Sequence, residues 1–500
     1  MKRKSISLIL AFALVFTSMG SMAFAKNVYS DVFENAKASS MTYLQEKLQG
    51  FCEKSGGGLN GSFYAMDLAK AGAKPDRAYY EKLAQEVIDG NGGLEKGKTS
   101  YTNNDKGILA FTAGGYDATN ICGYNLVAKL ADYDAIVAQG INGPVYALMA
   151  LDSGNYEIPK APEGVTQASR ENLVKAILDG RIAENGLWAY GKATDPDVDM
   201  TSMVLVALAP YVADKEVKAA VDNGIKFLSE NMGETGAYSS WGSANSNSTA
   251  VAIWAICANG INPDKDKRFI DNHVSVLDGL LSFAVETGGF GYTNNKTINQ
   301  AGTQQSYEAL LAFEALERGD RRFYDMSDKA PLKAFKVSGL TLNASATYTG
   351  KAICPKITVK DAFGNKLTEG VDYTVKYSNN KNVGLAKASV EGKGYYSGKL
   401  SKTFKILPVK AKISYVKAKK KAFVVKTAKT KNITGYQIKY AKNSKFTKAK
   451  SKFVKSSKAI TKKISASGKT KYFVKIRTYK TVGKTKYYSA WSKVYKIKTK

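Results

Sequence analysis

The sequence predicts a multidomain α plus β protein: an α/α toroid (an α6/α6 barrel) followed by two β-sandwich modules. Three observations carry this. A Gly-containing turn followed by a short apolar helix recurs six times in the first two thirds of the chain. The helices before and after each turn differ in pattern, one kind apolar along a stripe and the other apolar all round. After Asp325, helical periodicity gives way to two-residue alternation bounded by Gly and Asn clusters.

The chain opens "MKRKSISLILAFALVFTSMGSMAFA". Lys2, Arg3 and Lys4 form a basic head, an apolar run follows from Ile6 to Phe16, and Ala23-Phe24-Ala25 offers a small-residue cleavage site. That order reads as a secretory signal over residues 1–25. The run is shorter than the ~20 residues a membrane span needs, and no later segment is long and apolar enough to be a transmembrane segment. A secreted protein retained at the cell surface or wall is the expected localisation.

The toroid is expected over residues 26–328. Its turns centre near Gly58, Gly93, Gly143, Gly186, Gly236 and Gly289, each leading into an apolar segment such as "PVYALMALDSG" or "STAVAIWAICANG". A second helix precedes each turn, near 33–52, 77–89, 120–134, 168–182, 213–231 and 267–286. In "VKAAVDNGIKFL", Val217, Ala220, Val221, Ile225 and Leu228 recur at helical spacing with Lys218, Asp222 and Lys226 between them, so one stripe is buried. "AVAIWAICA", residues 250–258, is apolar on every side and must be enclosed. Six enclosed helices alternating with six amphipathic ones predict concentric rings, the inner helices parallel and the Gly turns at one rim.

Cys52, Cys122, Cys257 and Cys354 are too few and too dispersed for a disulfide framework, and buried thiols are expected. The single histidine, His273, leaves no His-based triad and no Cys/His metal site; no metal ligands are assigned. Net charge is +31, and 30 of the 74 Lys and Arg residues fall between Lys410 and Lys500, where there is no Asp or Glu. The rest of the chain is nearly neutral.

The toroid segments "KGILAFTAGGYDATNICGYNLVAKLADYD", "GPVYALMALDSGNYEIP", "DVDMTSMVLVALAPY" and "SSWGSANSNSTAVAIWAICANGINP" resemble the terpenoid-cyclase/prenyltransferase superfamily. Within it they are most similar to the bacterial cell-surface branch related to the transcobalamin and intrinsic-factor helical domain. "GGFGYTNN" and "TQQSYEALLAFEAL" extend the resemblance to about residue 325. In class II terpenoid cyclases an Asp-x-Asp-Asp-Thr motif supplies a protonated acid. Here Asp197, Val198, Asp199 and Thr201 match, with Met200 in place of the last Asp. The resemblance makes Asp199 the acid and Asp197 its helper. The alternative is a helix N-cap at Asp199, with Asn247-Ser248-Thr249 and Thr303-Gln304-Gln305 equivalent in the next two repeats.

A rim of parallel helix N-termini is expected to gather Trp188, Tyr190, Asp199, Tyr238, Trp241, Ser248, Tyr292, Gln304 and Tyr307. Aromatic faces beside amides and hydroxyls suit a large, flat or polycyclic ligand. In the transcobalamin-like relatives the helical domain forms one face of a corrinoid site, which makes a corrinoid the implied ligand here and Asp199, Gln304 and Tyr307 its contacts.

Residues 332–408, with "DYTVKYS" and "AKASVEG", are similar to the Ig-like repeats of Gram-positive surface proteins and read as a spacer. Residues 409–500 resemble a fibronectin type III domain. Tyr472 takes a tyrosine-corner position, Trp491 is expected in the core, and Lys475 and Arg477 share an outward face. So basic a face would hold polyanions, with anionic wall polymer first, acidic glycan second and DNA third; no nucleic-acid readout module is present. These readings predict a secreted cell-surface binding protein rather than an enzyme. The alternatives are a divergent terpenoid cyclase-like enzyme using Asp199 and an adhesin for host or wall glycans.

Overall fold

The computed structural model describes residues 31–97, 100–191, 193–240 and 242–500. The signal sequence expected over 1–25, and Trp241, lie outside the described residues. Helix α1 (Asp31–Cys52) and the single turn α2 (Gly57–Asn60) precede α3 (Ser62–Lys70), and α4 (Arg77–Asp89) precedes α5 (Asn103–Ala113). A 3-10 helix over Leu126–Ala131 and α6 (Tyr133–Val137) lead into α7 (Asn142–Ser153). Then α8 (Arg170–Asp179) precedes α9 (Val198–Leu208), α10 (Lys215–Glu230) precedes α11 (Ser246–Ala258), and α12 (Val276–Leu281) precedes α13 (Gln300–Glu317). Two short hairpins sit in the last repeats: β1 (Ser239–Ser240) with β2 (Ser243–Ala244), and β3 (Ile270–Asp271) with β4 (Val274–Ser275).

Helices α3, α5, α7, α9, α11 and α13 pack each on the next, and α13 returns to α3. The inner ring is closed, and the fold is an α/α toroid. The two helical patterns sort as their chemistry requires. In α10 the buried residues are the expected stripe plus Gly224, whose hydrogen leaves room for Leu205 of α9. In α11 every residue from Ser248 to Cys257 is buried.

Two expected outer helices are broken. Cys122 (φ 51°) and Gly123 (φ 97°) hold left-handed backbone, so no helix can run through 120–134. Cys122 therefore lies in a loop, its thiol against the Tyr395 carbonyl, and does not open a helix. Asn272 and His273 at positive φ likewise turn part of 267–286 into the β3–β4 hairpin. All four cysteines are free, Cys257 buried and Cys354 exposed.

The last three repeats share one joint. Gly186, Gly236 and Gly289 all have φ near 70°, and at Gly236 a Cβ would lie 2.2 Å from the Ser275 carbonyl, so only glycine fits. Each glycine is followed by a buried aromatic: Trp188, Tyr238 or Phe290. Trp188 Nε1 donates to the Ile177 carbonyl of α8, and Tyr238 Oη to the Leu228 carbonyl of α10. The ring thereby wedges an outer helix end against the next inner helix start. Thr201, Thr249 and Thr303, one turn into α9, α11 and α13, tie their hydroxyls to the backbone of the same aromatic residues.

The middle module comprises β5 (Val337–Leu342), β6 (Ser345–Thr347), β7 (Ile357–Asp361), β8 (Tyr373–Ser378), β9 (Gly384–Gly392) and β10 (Lys399–Leu407). A sheet β6-β10-β9-β8 faces the β5-β7 pair. The last module comprises β11 (Ile413–Lys419), β12 (Ala422–Thr427), β13 (Gly435–Ala441), β14 (Lys450–Lys455), β15 (Thr461–Ser465), β16 (Lys471–Val482), β17 (Thr485–Tyr488) and β18 (Tyr495–Lys498). Sheet β11-β12-β15 packs on sheet β14-β13-β16-β17, with β18 also on β16. Tyr472 Oη accepts from the Ser467 N–H at 3.1 Å, the bond of a tyrosine corner.

The middle module is joined to the toroid through a shared core. Tyr116 stacks on Phe335 with centroids 4.7 Å apart, and Arg77 of α4 pairs with Asp372 at 2.8 Å. The last module keeps a core of its own around Phe423, Tyr436, Val474 and Ile476.

Candidate functional site

At the rim of inner-helix N-termini, capping falls on different residues from those expected. The N-caps of α9, α11 and α13 are Asp197, Asn245 and Asn299, accepting from Met200 N (2.6 Å), Ser248 N (2.9 Å) and Gly302 N (2.8 Å). A cap needs extended backbone, and Asp197 has it (φ −115°, ψ 149°), whereas Asp199 already lies in the helix. Asp197 also accepts from Tyr190 N, which fixes the loop before α9.

Asp199 is thus released from capping and is half-buried. Its Oδ1 has no hydrogen-bond partner among the described residues, nor has Ser248 Oγ. Burial pushes the Asp199 carboxyl up; the nearby Ser248 hydroxyl acts against this and the Asp197 charge adds to it.

Much of the expected ligand-contacting set lies around this rim, but most of it is enclosed rather than open to a ligand. Trp188 is the wedge between the two helical shells described above, 0 % exposed; Ser248 and Tyr307 are 1 % exposed. Gln304 lies a turn deeper, on the barrel axis. Tyr190 (62 % exposed) and Tyr292 (40 %) reach solvent and Asp199 is half-buried, while Trp241 lies outside the described residues. The wedge role accounts for Trp188 and Tyr238: in a ring of helix pairs, the aromatic after each turn fills the gap between the two shells.

The axis holds groups that sequence reasoning missed. Gln304 Nε2 donates both to Asp67 Oδ2 of α3 (2.8 Å) and to Glu308 Oε2 (3.0 Å). Tyr324 Oη bonds to the other oxygen of Glu308. Asp67 and Glu308 are fully buried, and burial holds both carboxyls up, Glu308 to about 8, with the two acids opposing each other's ionisation. Asp105 of α5 is likewise pushed up by burial, and its Oδ1 is unpartnered among the described residues. The available signal was a carboxylate inside an otherwise apolar inner helix, as Asp67 in "SFYAMDLAK" and Glu308 in "SYEALLAFEAL". No group of three or more metal-ligating side chains occurs among the described residues.

A cavity of about 840 Å3 opens at the opposite rim, over the C-terminal ends of α7, α9, α11 and α13. The ends of α9 and α11 finish in small residues, Ala207, Ala209, Ala258 and Gly260, which leaves the space. Met149, Val206, Trp254, Ala312 and Phe323 give it apolar walls. One side is a strap, residues 318–330, that crosses the rim from α13: Met326 N donates to the Ser153 carbonyl at the end of α7, and Tyr324 closes the barrel axis beneath it.

On the last module, Lys475 and Arg477 share the outer face of β16 as expected, but aromatic rings cover them. Lys475 lies 4.1 Å from the Phe446 centroid and 5.1 Å from Trp491; Arg477 lies 3.8 Å from Tyr488 and 4.4 Å from Trp491. Trp491 is therefore outside the core, between two cations. Ser489 and Ser492 hold it there by bonding the backbone of Thr478 and Ile476. The other sheet is more open: Lys417, Lys419, Lys426 and Lys463 are exposed, Lys417 and Lys426 sharing the ring of Tyr415 (4.8 and 5.7 Å), and Val424 stands directly between Lys417 and Lys463.

No family model and no curated protein matches the sequence. Among solved structures, ent-copalyl diphosphate synthase from Streptomyces platensis is similar over 52% of this chain and 50% of its own, at 13% identity and TM-score 0.30. The chicken interferon gamma receptor alpha chain is similar over 33% of this chain and 97% of its own, at 10% identity and TM-score 0.21. The FN1–FN3 domains of chicken CNTN1 are similar over 33% and 65%, at 14% identity and TM-score 0.17. Likenesses this distant carry no functional argument. Among the described residues no helix is long and apolar enough to cross a membrane.

Proposed function

We propose that this is a secreted binding protein of the cell exterior, held on anionic envelope polymer by its last module and presenting the toroid as a ligand-binding domain. One observation carries the reading: from Lys410 to Lys500 there are 30 cations and no acid. Like charges at neighbouring positions of one sheet face destabilise it, and here no side chain of the module can neutralise them. A polyanion can. The β11-β12-β15 face, with Lys417, Lys419, Lys426 and Lys463 open to solvent, is the contact surface in this reading. Lys475 and Arg477 contribute less, because each is half-buried against two rings.

The test is elution of the full chain from immobilised teichoic acid by a salt gradient. The protein should bind at low salt and leave as ionic strength rises toward about 0.5 M, where attraction between exposed charges is strongly screened. Replacing Lys417, Lys419, Lys426 and Lys463 together by Gln should bring elution to markedly lower salt. Retention indifferent to salt, or to these four changes, would refute the reading. The corrinoid implied by the toroid's resemblance belongs in the ligand panel for the same full-length protein.

A further inference from the structure

The geometry points to the C-terminal mouth of the toroid, under the strap, as a site for an amphiphile with an apolar body and a single negative charge. This rests on the reading of the toroid as a ligand-binding domain, and it names both the site and the ligand class. The volume, about 840 Å3, lies within the range of drug-sized ligand pockets. Met149, Val206, Trp254, Ala312 and Phe323 offer an apolar surface against which such a body loses water.

The charge follows from what the lining leaves unpaired. Arg170 is held by Asp152 (2.8 Å), Lys218 by Asp222 (2.8 Å), Arg268 by Asp266 (2.8 Å) and Arg321 by Asp325 (3.4 Å). Asp320 is taken by Arg318. The side chain of Arg322, exposed on the strap and in the cavity lining, has no hydrogen bond, ion pair or ring contact among the described residues; only its backbone carbonyl is bonded, by Asp325 N. Its guanidinium is planar and always charged, suited to a carboxylate or sulfonate.

Converging helix C-termini would by themselves disfavour an anion. Several of their carbonyls are already occupied. Arg170 donates to Leu151 O and Tyr156 O, and the Asn259 amide to Leu205 O and Ala255 O. The full charge of Arg322 then outweighs what remains of these partial charges.

Two dyes with one aromatic body separate the parts of the claim: 8-anilinonaphthalene-1-sulfonate carries a sulfonate, and N-phenyl-1-naphthylamine does not. Both are titrated by fluorescence into the full chain in about 0.5 M NaCl, which screens the exposed lysines more than a half-enclosed cavity. One saturable site per chain is expected for each, with the sulfonate bound more tightly and displaced by oleate. Arg322→Gln, on an exposed side chain, should weaken the sulfonate 5- to 10-fold and leave the neutral dye unchanged. Ala258→Trp, at a half-exposed helix end, should abolish both.

Binding without saturation, equal loss of both dyes in Arg322→Gln, or full binding by Ala258→Trp that melts like the parent would overturn the proposal. Neither change should move elution from teichoic acid. A failure of this site is thereby distinguished from a failure of the envelope reading.

Discussion

At the scale of single residues, Asp197, Asp199 and Glu308 show how position divides identical chemistry. Asp197 caps α9 in full; Asp199, two residues on, is half-buried with one shielded, unpartnered oxygen. Asp197→Ala should therefore lower stability by about 1 kcal/mol. Asp199→Asn should leave it unchanged or raise it, because an amide is easier to bury than a carboxylate. Thermal melts of the two variants decide this, and a larger loss at Asp199 would assign that residue the structural role instead.

Glu308 predicts a pH dependence. Its carboxyl is held at about 8, above its ordinary 4.5. A carboxyl raised on folding favours the folded state fully below the unfolded pKa, and that contribution is lost as pH rises through the folded one. The toroid should lose stability between about pH 4.5 and 8, and Glu308→Gln should flatten this slope. The gain at the upper end should be on the order of 4 kcal/mol. A parallel pH profile in the variant would contradict the burial argument.

Among elements, the inner helices and the wedge aromatics are what make the toroid. The stripe of α10 and the all-round apolarity of α11 were legible because burial of a helix is written in its period. The wedge was half legible: the Gly and the aromatic are plain in "ENGLWAY" and "ETGAYSSW". Their placement beside a polar cap, however, reads equally as a binding rim. What separates the two is the direction of the ring. Trp188 Nε1 and Tyr238 Oη point back to the carbonyls closing α8 and α10, and no spacing rule shows that. Trp491 is the reverse case, an aromatic expected inside that is held outside by Lys475 and Arg477.

For the whole molecule, one core runs from the toroid into the middle module through Tyr116, Phe335 and Val337, while the last module has its own. Calorimetry should resolve two transitions, the toroid with the middle module and the last module alone. Salt should raise the second by screening its self-repulsion. Tyr116→Ala should lower the first and split it in two. Three transitions in the parent protein would show that this interface does not couple the domains.

By itself the sequence determined the six-fold helical repeat, the two shells, the change to β-modules and the concentration of charge in the last of them. Each of these is periodic or compositional and accumulates over many residues. The tertiary structure alone decided that Asp197 caps while Asp199 does not, that Asp67, Gln304 and Glu308 meet on the axis, and that the cavity opens at the C-terminal rim. Those outcomes depend on residues from remote helices converging, and on which atoms burial leaves without partners, and only ring closure fixes both.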